Sequence, residues 1–307
     1  MKLTLRQLEV FAAIARNENV SRAAGGLAMS QSAASSALVE LERQFDCPLF
    51  DRIGKSLRLN STGRGLLPLA EDLLARGAGI ESYLAGGTLG PLAVGATLTI
   101  GNYLATLVVA DYLQRHPAAK IGLHVANTHD IVERLRRFEL DIGLIEGEVS
   151  EPDLLLEPWL DDALVVFCAP HHALAAIDRV DSAMLAEQNW IVRERGSGTR
   201  ALFDRVIGQA LPELRIQLEL EHTEAIKRAV ESGLGIGCLS RLSLREAFRR
   251  GSLVEIRTPQ FDLGRHFHFA RHRQRHVSPA MQAFLALCRE RCGDAGDTST
   301  LELPFIR

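Results

Sequence analysis

Four polar clusters hold the side chains of this sequence that could do chemistry. The first, SQSAASS, sets Ser30, Gln31, Ser32, Ser35 and Ser36 along one stretch of helical spacing. The other three, GATLTIGN, VANTHD and RERGSGTR, place Thr97 and Thr99, then Asn127, Thr128 and His129, then Ser197, Gly198 and Thr199 where a strand gives way to a helix. Hydroxyls, amides and free backbone N–H groups at a helix start attract anions without a full positive charge. One such junction is ordinarily an N-cap. Three of them, one Gly-rich and flanked by Arg193, Arg195 and Arg200, favour a small oxyanion site. The first cluster reads differently. Gln pairs with adenine, and Ser bonds bases or phosphates, when a helix is offered to a DNA groove; the bland alternative is a solvated helix face.

The elements around the first cluster support the groove reading. Leu5, Leu8, Phe11, Ala12 and Ala15 recur at helical spacing and predict a first helix with one buried face. Ser21 is read as the N-cap of a short second helix, RAAGGLA, whose Ala23, Ala24 and Leu27 allow close helix approach. Ser30 caps a long helix from Gln31 to about Phe45, with a buried stripe of Ala34, Leu38, Leu41 and Phe45. Two helices joined by a tight turn, the second with a polar N-terminal face, form a helix-turn-helix. A basic hairpin follows. Arg52, Lys55, Arg58 and Arg64 surround Gly54 and Ser56, with Leu57 and Leu59 packed inward, as in a wing that meets phosphates or the minor groove. The expected DNA contacts are Ser21, Ser30, Gln31, Ser32, Ser35, Ser36, Arg52, Lys55 and Arg58.

Charge follows the same division. Residues 1–64 carry nine Lys/Arg against six Asp/Glu, while the whole 307-residue chain has a formal net charge of −3. A basic end on an acidic body suits one module that meets phosphates and a remainder that does not. A hydrophobic content of 47% supports two or three domains with real cores. No apolar run approaches the ~18 residues of a membrane span, and the N-terminus, broken by Arg6, Glu9 and Arg16, reads as an amphipathic helix rather than a signal. Five cysteines without framework spacing are read as ordinary thiols, and a reducing cytoplasm is the expected location.

The N-terminal residues resemble the winged helix-turn-helix of LysR-type transcriptional regulators. The match rests on Ala23, Ala24, Leu27, Ser30, Gln31, Ser35, Leu41, Glu42, Leu49, Phe50, Arg52 and Gly63. Ser32, Ser36, Asp46 and Thr62 depart from a common proline, arginine, glycine and alanine. From Thr62 to about Leu84, Leu66, Leu69, Leu73, Ile80 and Leu84 form an approximate heptad stripe. The resemblance implies that this linker pairs antiparallel in a homodimer, and that two dimers join through their C-terminal domains as a homotetramer. Promoter DNA is the implied partner, with RNA polymerase a further candidate and no membrane. Gly77 and Gly79 mark either a joint or a close helix contact.

After Pro91, strands and helices alternate, predicting parallel sheets with crossover helices in two lobes around a cleft. The expected architecture is an N-terminal all-α winged helix-turn-helix with a linker helix, and a C-terminal α/β two-lobed domain like periplasmic binding proteins. The expected divisions are residues 1–64, a linker over 65–88, an effector domain over 89–293 and a tail over 294–307. One lobe covers about 89–161 and 267–293, the other about 162–266. The tail starts polar and reads as mobile, with Leu301, Leu303 and Phe305 able to dock. TIGNY, EPWL, RERGSGTR, EAIKRAV and GLGIGCLSR resemble the YeiE-like, sulfite-responsive branch of the family and, more distantly, CysB. That resemblance implies a sulfur oxyanion contacted by Thr97, Thr99, Asn127, Glu146, Ser197 and Thr199, with Thr128, Arg195 and Gly198 completing the expected effector set. A phosphorylated or carboxylated metabolite is the alternative effector. Glu146 beside an anion must be protonated, held by arginine or faced by a protonated ligand. Leu98 stands where the branch often has serine.

Other features are discounted. GLGIG follows a helix and lacks a third glycine, so it is not a dinucleotide fingerprint. His266, His268, His272 and His276 lack a completing ligand set, so no metal is expected. No catalytic constellation is identifiable, so no catalytic residue, cofactor or enzymatic activity is expected; an enzyme or solute-binding protein remains the distant rival.

Overall fold

A computed structural model describes residues 3–53, 56–84, 89–147, 149–292 and 296–301; the side chains of Arg52, Ile53, Ser56, Ser82 and Tyr83 are outside that set. The chain forms two units, residues 1–90 with 275–279 and residues 91–274 with 280–307.

In the first unit, α1 (Leu5–Asn17), α2 (Val20–Gly26) and α3 (Gln31–Phe45) precede the hairpin β1 (Phe50–Ile53) and β2 (Ser56–Leu59), then α4 (Ser61–Leu84). Thr4 and Gln7 close a reciprocal capping box on α1. The N-cap of α2 is Asn19, whose side chain accepts from the Arg22 amide, so Ser21 is an exposed residue inside the helix rather than its cap. Ser30 caps α3 as expected, accepting from the Ala33 amide at 3.2 Å. The core is built from Leu8, Val10, Phe11, Ile14, Ala23, Ala24, Ala34, Leu38, Leu41, Leu49, Phe50 and Leu57. Two expected core residues lie outside it. Leu5 is 46% exposed at the start of α1, where helix phase carries it just past the buried arc, and Phe45 is 54% exposed because, though in phase with the buried stripe, it is the last residue of α3. A Cβ on Gly63 would lie 2.2 Å from the Leu49 carbonyl oxygen, so only glycine allows the first turn of α4 this close to the hairpin entry.

The sides of α4 differ. Leu66, Leu67, Ala70 and Leu74 pack on the module core, and Arg16 on α1 pairs with Glu71 at 2.7 Å. Leu69, Leu73, Ile80 and Leu84 are 57%, 38%, 62% and 77% exposed. Leu66 therefore belongs to the core, and the other four make a heptad-spaced apolar stripe.

The second unit opens with β3 (Leu92–Thr97), α5 (Leu98–Ile100), a π turn over Gly101–Ala105, α6 (Thr106–Arg115), β4 (Ile121–Ala126), α7 (Thr128–Arg136) and β5 (Ile142–Glu146). It continues with β6 (Leu154–Cys168), α8 (Ser182–Ala186), β7 (Asn189–Arg193), α9 (Gly198–Phe203) running into a π turn over Asp204–Gly208, and β8 (Arg215–Leu220). It ends with α10 (Thr223–Glu231), β9 (Ile236–Ser240), α11 (Arg241–Arg250), β10 (Val254–Ile256), β11 (Gly264–His272), α12 (Pro279–Cys292) and a 3-10 turn over Thr298–Thr300.

The ladder order is β4-β3-β5-β11-β6-β9-β7-β8, with β10 also on β6. β3, β4 and β5 are mutually parallel, as are β7, β8 and β9. Two long strands join the groups, and these are antiparallel to their neighbours. β6 pairs with β11 through Ala163, then with β9 from Leu164 onward, so the lobes meet at Asp162–Leu164. Continuous apolar patterning marks only the second half of β6, ALVVFC. The stretch LLLEPWLDD is polar-interrupted and contains Pro158, which hides its extended character. Separate cores lie under the two groups, one around Ile131, Leu135 and Ile145, the other around Trp190, Phe203 and Ile207. The tail also differs from a mobile segment over its described part. Asp161 bridges Asp297, and Leu301 is buried. Leu303 and Phe305 lie outside the described residues.

Candidate functional site

Ser30, Gln31, Ser32 and Ser36 are exposed on the first two turns of α3, and Ser35 is half-buried, while Ala34, Leu38 and Leu41 anchor the opposite face. The polar face is thus free for a groove because the apolar face holds the helix rigid. Ser30 and Ser32 hydroxyls lie 3.0 Å apart. In the wing, Arg58 is exposed and its backbone pairs with Asp51. Glu42 fixes the wing to α3 by accepting from the Leu49 amide at 2.7 Å. Lys55 lies outside the described residues, as does the side chain of Arg52.

The expected effector residues separate into a buried group and a cavity wall. Thr97, Thr99, Glu146 and Thr199 are buried and are not among the residues lining the cavity. The Thr199 hydroxyl donates to Glu146 Oε1 at 3.1 Å, and Arg265 Nη1 donates to Thr199 Oγ1 at 3.0 Å. Arg265 Nη2 reaches Glu146 Oε2 at 3.4 Å, and its Nε donates to Asp162 Oδ2 at 2.7 Å. One buried cation therefore serves two buried carboxylates, and Glu146 is held by arginine and threonine. Burial alone would lower the Arg265 pKa, but Glu146 and Asp162 outweigh it and raise it.

The wall surrounds a cavity of about 380 Å³, lined by Thr128, His129, Glu151, Arg195, Gly196, Ser197, Gly198 and Asp204 among others. The lobes touch directly here. The Gly198 amide donates to Thr128 Oγ1 at 3.0 Å, and the His129 amide donates to the Gly196 carbonyl at 3.1 Å. A Cβ on Gly198 would sit 2.2 Å from the Glu146 carbonyl oxygen, so glycine is required for this approach.

Capping roles sort the polar residues. Asn127 is a working N-cap, accepting from the Asp130 amide at 3.0 Å, and it does not line the cavity. Thr128 Oγ1 accepts from the Gly198 amide. Ser197 occupies the N-cap position of α9 but makes no side-chain cap bond, and its hydroxyl is buried without a partner. Arg195 is exposed at the cavity. Arg193 and Arg200 are buried in protein ion pairs, Arg193 with Glu194 at 2.7 Å and Arg200 with Asp204 at 2.7 Å and Glu219 at 2.6 Å. Arg200 lines the cavity as a paired cation, and Arg193 is not among the lining residues. Leu98 is buried, an apolar side chain between Thr97 and Thr99 in sequence.

A second clasp joins the lobes. Tyr103, on the π turn, donates to Glu224 Oε1 at 2.9 Å, and Lys227 Nζ lies 3.3 Å from the phenol and 3.1 Å from the Ser243 carbonyl. Burial, then the Glu224 charge, push the Tyr103 pKa far up, so the phenol stays a donor. Burial would raise Glu224, but hydrogen bonds from Lys227 and Tyr103 hold it below the usual carboxylate range.

Arg265, Asp162, Tyr103 and Lys227 escaped the sequence reading. Tyr103 and Lys227 sit in TIGNY and EAIKRAV, but nothing in the spacing ties them together. Arg265 did leave a trace, since it shares alternation with Phe267 and Phe269 on the apolar face of β11. Among the described residues no group of three His, Cys, Asp or Glu side chains converges to hold a metal ion. Burial pushes the thiols of Cys168 and Cys292 up to about 11 and that of Cys238 up to about 12, which removes thiolate chemistry at neutral pH.

A winged helix-turn-helix and a two-lobed α/β domain with an inter-lobe cavity define a ligand-responsive regulator. Residues 5–64 match the bacterial regulatory helix-turn-helix of the LysR family, and residues 85–293 match the LysR substrate binding domain. The chain belongs to the LysR family of transcriptional regulators. It is 43% identical over 288 residues to the uncharacterised helix-turn-helix regulator YeiE of Escherichia coli strain K12, covering 94% of this chain and 98% of that one. A full-length OxyR variant from Pseudomonas aeruginosa aligns with TM-score 0.71 and 25% identity over 94% of each chain. The regulatory domain of CcmR from Synechocystis PCC6803, solved in complex with 2-PG, aligns with TM-score 0.58 and 29% identity over 64% of this chain and 95% of that one. The regulators among these relatives, and the two matched domains, assign a regulatory rather than an enzymatic role. No helix among the described residues is long and apolar enough to cross a membrane.

Proposed function

We propose that this regulator reads promoter DNA through Gln31 and the serines of α3, and that its inter-lobe cavity takes a small oxyanion, sulfite foremost. The observation that carries the effector reading is the buried Ser197 hydroxyl, a donor without a protein partner at this cavity. A buried polar group left unpaired costs about 1–3 kcal/mol, which a ligand oxygen would recover. Glu146 does not oppose an anion as a bare charge, because Arg265 and Thr199 hold it. The choice of sulfite rests on the resemblance to the YeiE-like branch.

The heptad stripe Leu69, Leu73, Ile80 and Leu84 supports a homodimer through α4, with two dimers joining as a tetramer. Half-sites then lie about one helical turn, ~34 Å, apart. The anion biases lobe or dimer arrangement, and so DNA bending or polymerase contact, by its differential affinity for the two states. Calorimetry on the full chain with sulfite, sulfate, phosphate and small carboxylates tests the effector. Saturable sulfite binding that Ser197→Ala weakens is expected; indifference to every inorganic anion would remove the oxyanion reading. One observation favours a phosphorylated or carboxylated effector instead, namely the similarity to CcmR with 2-PG. Small organic phosphates belong in the same titration.

A further inference from the structure

Residues 296–301 form a strap on the point where the chain passes between lobes. The Asp161 amide donates to the Gly296 carbonyl at 2.8 Å, and Asp297 pairs with Asp161 in a parallel bridge. Thr298 is 2% exposed, and its hydroxyl donates to Asp162 Oδ1 at 2.8 Å. Leu301 is buried, and its carbonyl accepts from the Arg245 guanidinium on α11.

Asp162 is the carboxylate that orients Arg265. Its Oδ1 accepts from Thr298 and from Ser240 at 2.8 Å, and its Oδ2 accepts from Arg265. Arg265 in turn holds Thr199 and Glu146, one on each side of the cleft. Three hydrogen-bonded steps thus connect the strap to Thr199 and Glu146 through buried groups, where an unmet partner is costly and rotamers are fixed. A tail needed only for solubility would not bury a hydroxyl on the lobe-crossing carboxylate.

We propose that Thr298 is a positioning residue for the effector cleft. By donating to Asp162 it fixes Arg265, and through Arg265 it holds the two lobes in their closed contact. The strap thereby sets how readily the cleft opens.

The role bears on the proposed effector cleft, yet ligand-free amide exchange reads it without any ligand. The full chain and Thr298→Val are compared at the His129 and Gly198 amides, both of which bond across the cleft. These amides should exchange roughly tenfold faster in the variant, the scale of one lost buried hydrogen bond, and Thr298→Ser should restore them. Faster exchange confined to Asp161 and Ser299 beside the strap, or a serine variant no better than valine, would overturn the proposal. Should Thr298→Val fail to fold, Arg245→Ala loosens the strap from its far end. It should speed the same cross-cleft amides by a smaller factor; wild-type rates there would count against the strap. In a parallel arm, sodium sulfite should slow these amides in the wild-type chain. Its failure to do so would remove the sulfite reading and leave the strap to be judged on the ligand-free rates.

Discussion

The recognition module and the cleft domain use polar residues in opposite ways. On α3 the side chains proposed to meet DNA are exposed or half-buried, and the apolar face behind them gives rigidity. In the cleft domain Thr97, Thr99, Glu146, Ser197 and Thr199 are buried, and Glu146 and Thr199 are held by Arg265, itself oriented by Asp162, both remote in sequence. The first arrangement suits a partner that arrives from outside with its own charges. The second suits a small ligand that must be enclosed, and it makes the site part of the core. Mutations should therefore separate cleanly, with cleft changes affecting stability and α3 changes affecting recognition alone.

The largest effect expected is from Arg265→Ala, which leaves Glu146 and Asp162 buried without their cation. Breaking such a group costs about 3–5 kcal/mol, read as a lower urea midpoint for the cleft domain. A loss below about 1 kcal/mol would mean the network is solvated and the contrast with α3 is false. Next is Gly198→Ala. Its methyl meets the Glu146 carbonyl, so closure costs about 1–3 kcal/mol of overpacking, and anion affinity measured by calorimetry should fall at least tenfold; unchanged affinity would show that this contact does not form in the bound state.

Gln31→Ala should leave the urea midpoint unmoved while costing roughly 1–3 kcal/mol of discrimination between operator and random DNA. Equal loss on both DNAs would remove base reading from this residue. The smallest effect sharpens the view of the turn before α3. Ala28 sits at φ 53, in the left-handed region. Ala28→Gly should stabilise the module by up to about 1 kcal/mol, seen as a higher melting temperature with operator affinity intact. A drop would show that the methyl packs usefully.

The same contrast governs what could be read from the sequence. The α3 cap at Ser30, the stripe of Ala34, Leu38 and Leu41, and the polar face at Gln31 are all local, so spacing alone displays them. Errors in this unit were at edges. Ser21 reads as a cap because it precedes an alanine pair, while Asn19, two residues earlier, does the capping. Phe45 reads as buried because it is in phase with the stripe, but it ends the helix and is exposed. In the cleft domain the junction residues were visible, but their division of labour was not. Asn127 and Ser197 look alike in sequence; only the fold shows that one caps a helix and the other is left without a partner. Arg265 joins Glu146 across 119 residues of chain, and no periodicity records that. The long strand β6 was half-hidden because one part of it pairs in each lobe, with polar residues around the crossing.

The central claim is that an anion in the cleft changes what α3 does on DNA. It is tested most directly by recovering bound genomic DNA with the full chain, with and without sodium sulfite, and then titrating the chain onto the recovered sites. The account predicts a change in operator affinity of roughly five- to 150-fold, the usual range for coupled sites, abolished by Ser197→Ala. The same sites bound with the same affinity, at sulfite concentrations that saturate calorimetric binding, would contradict it.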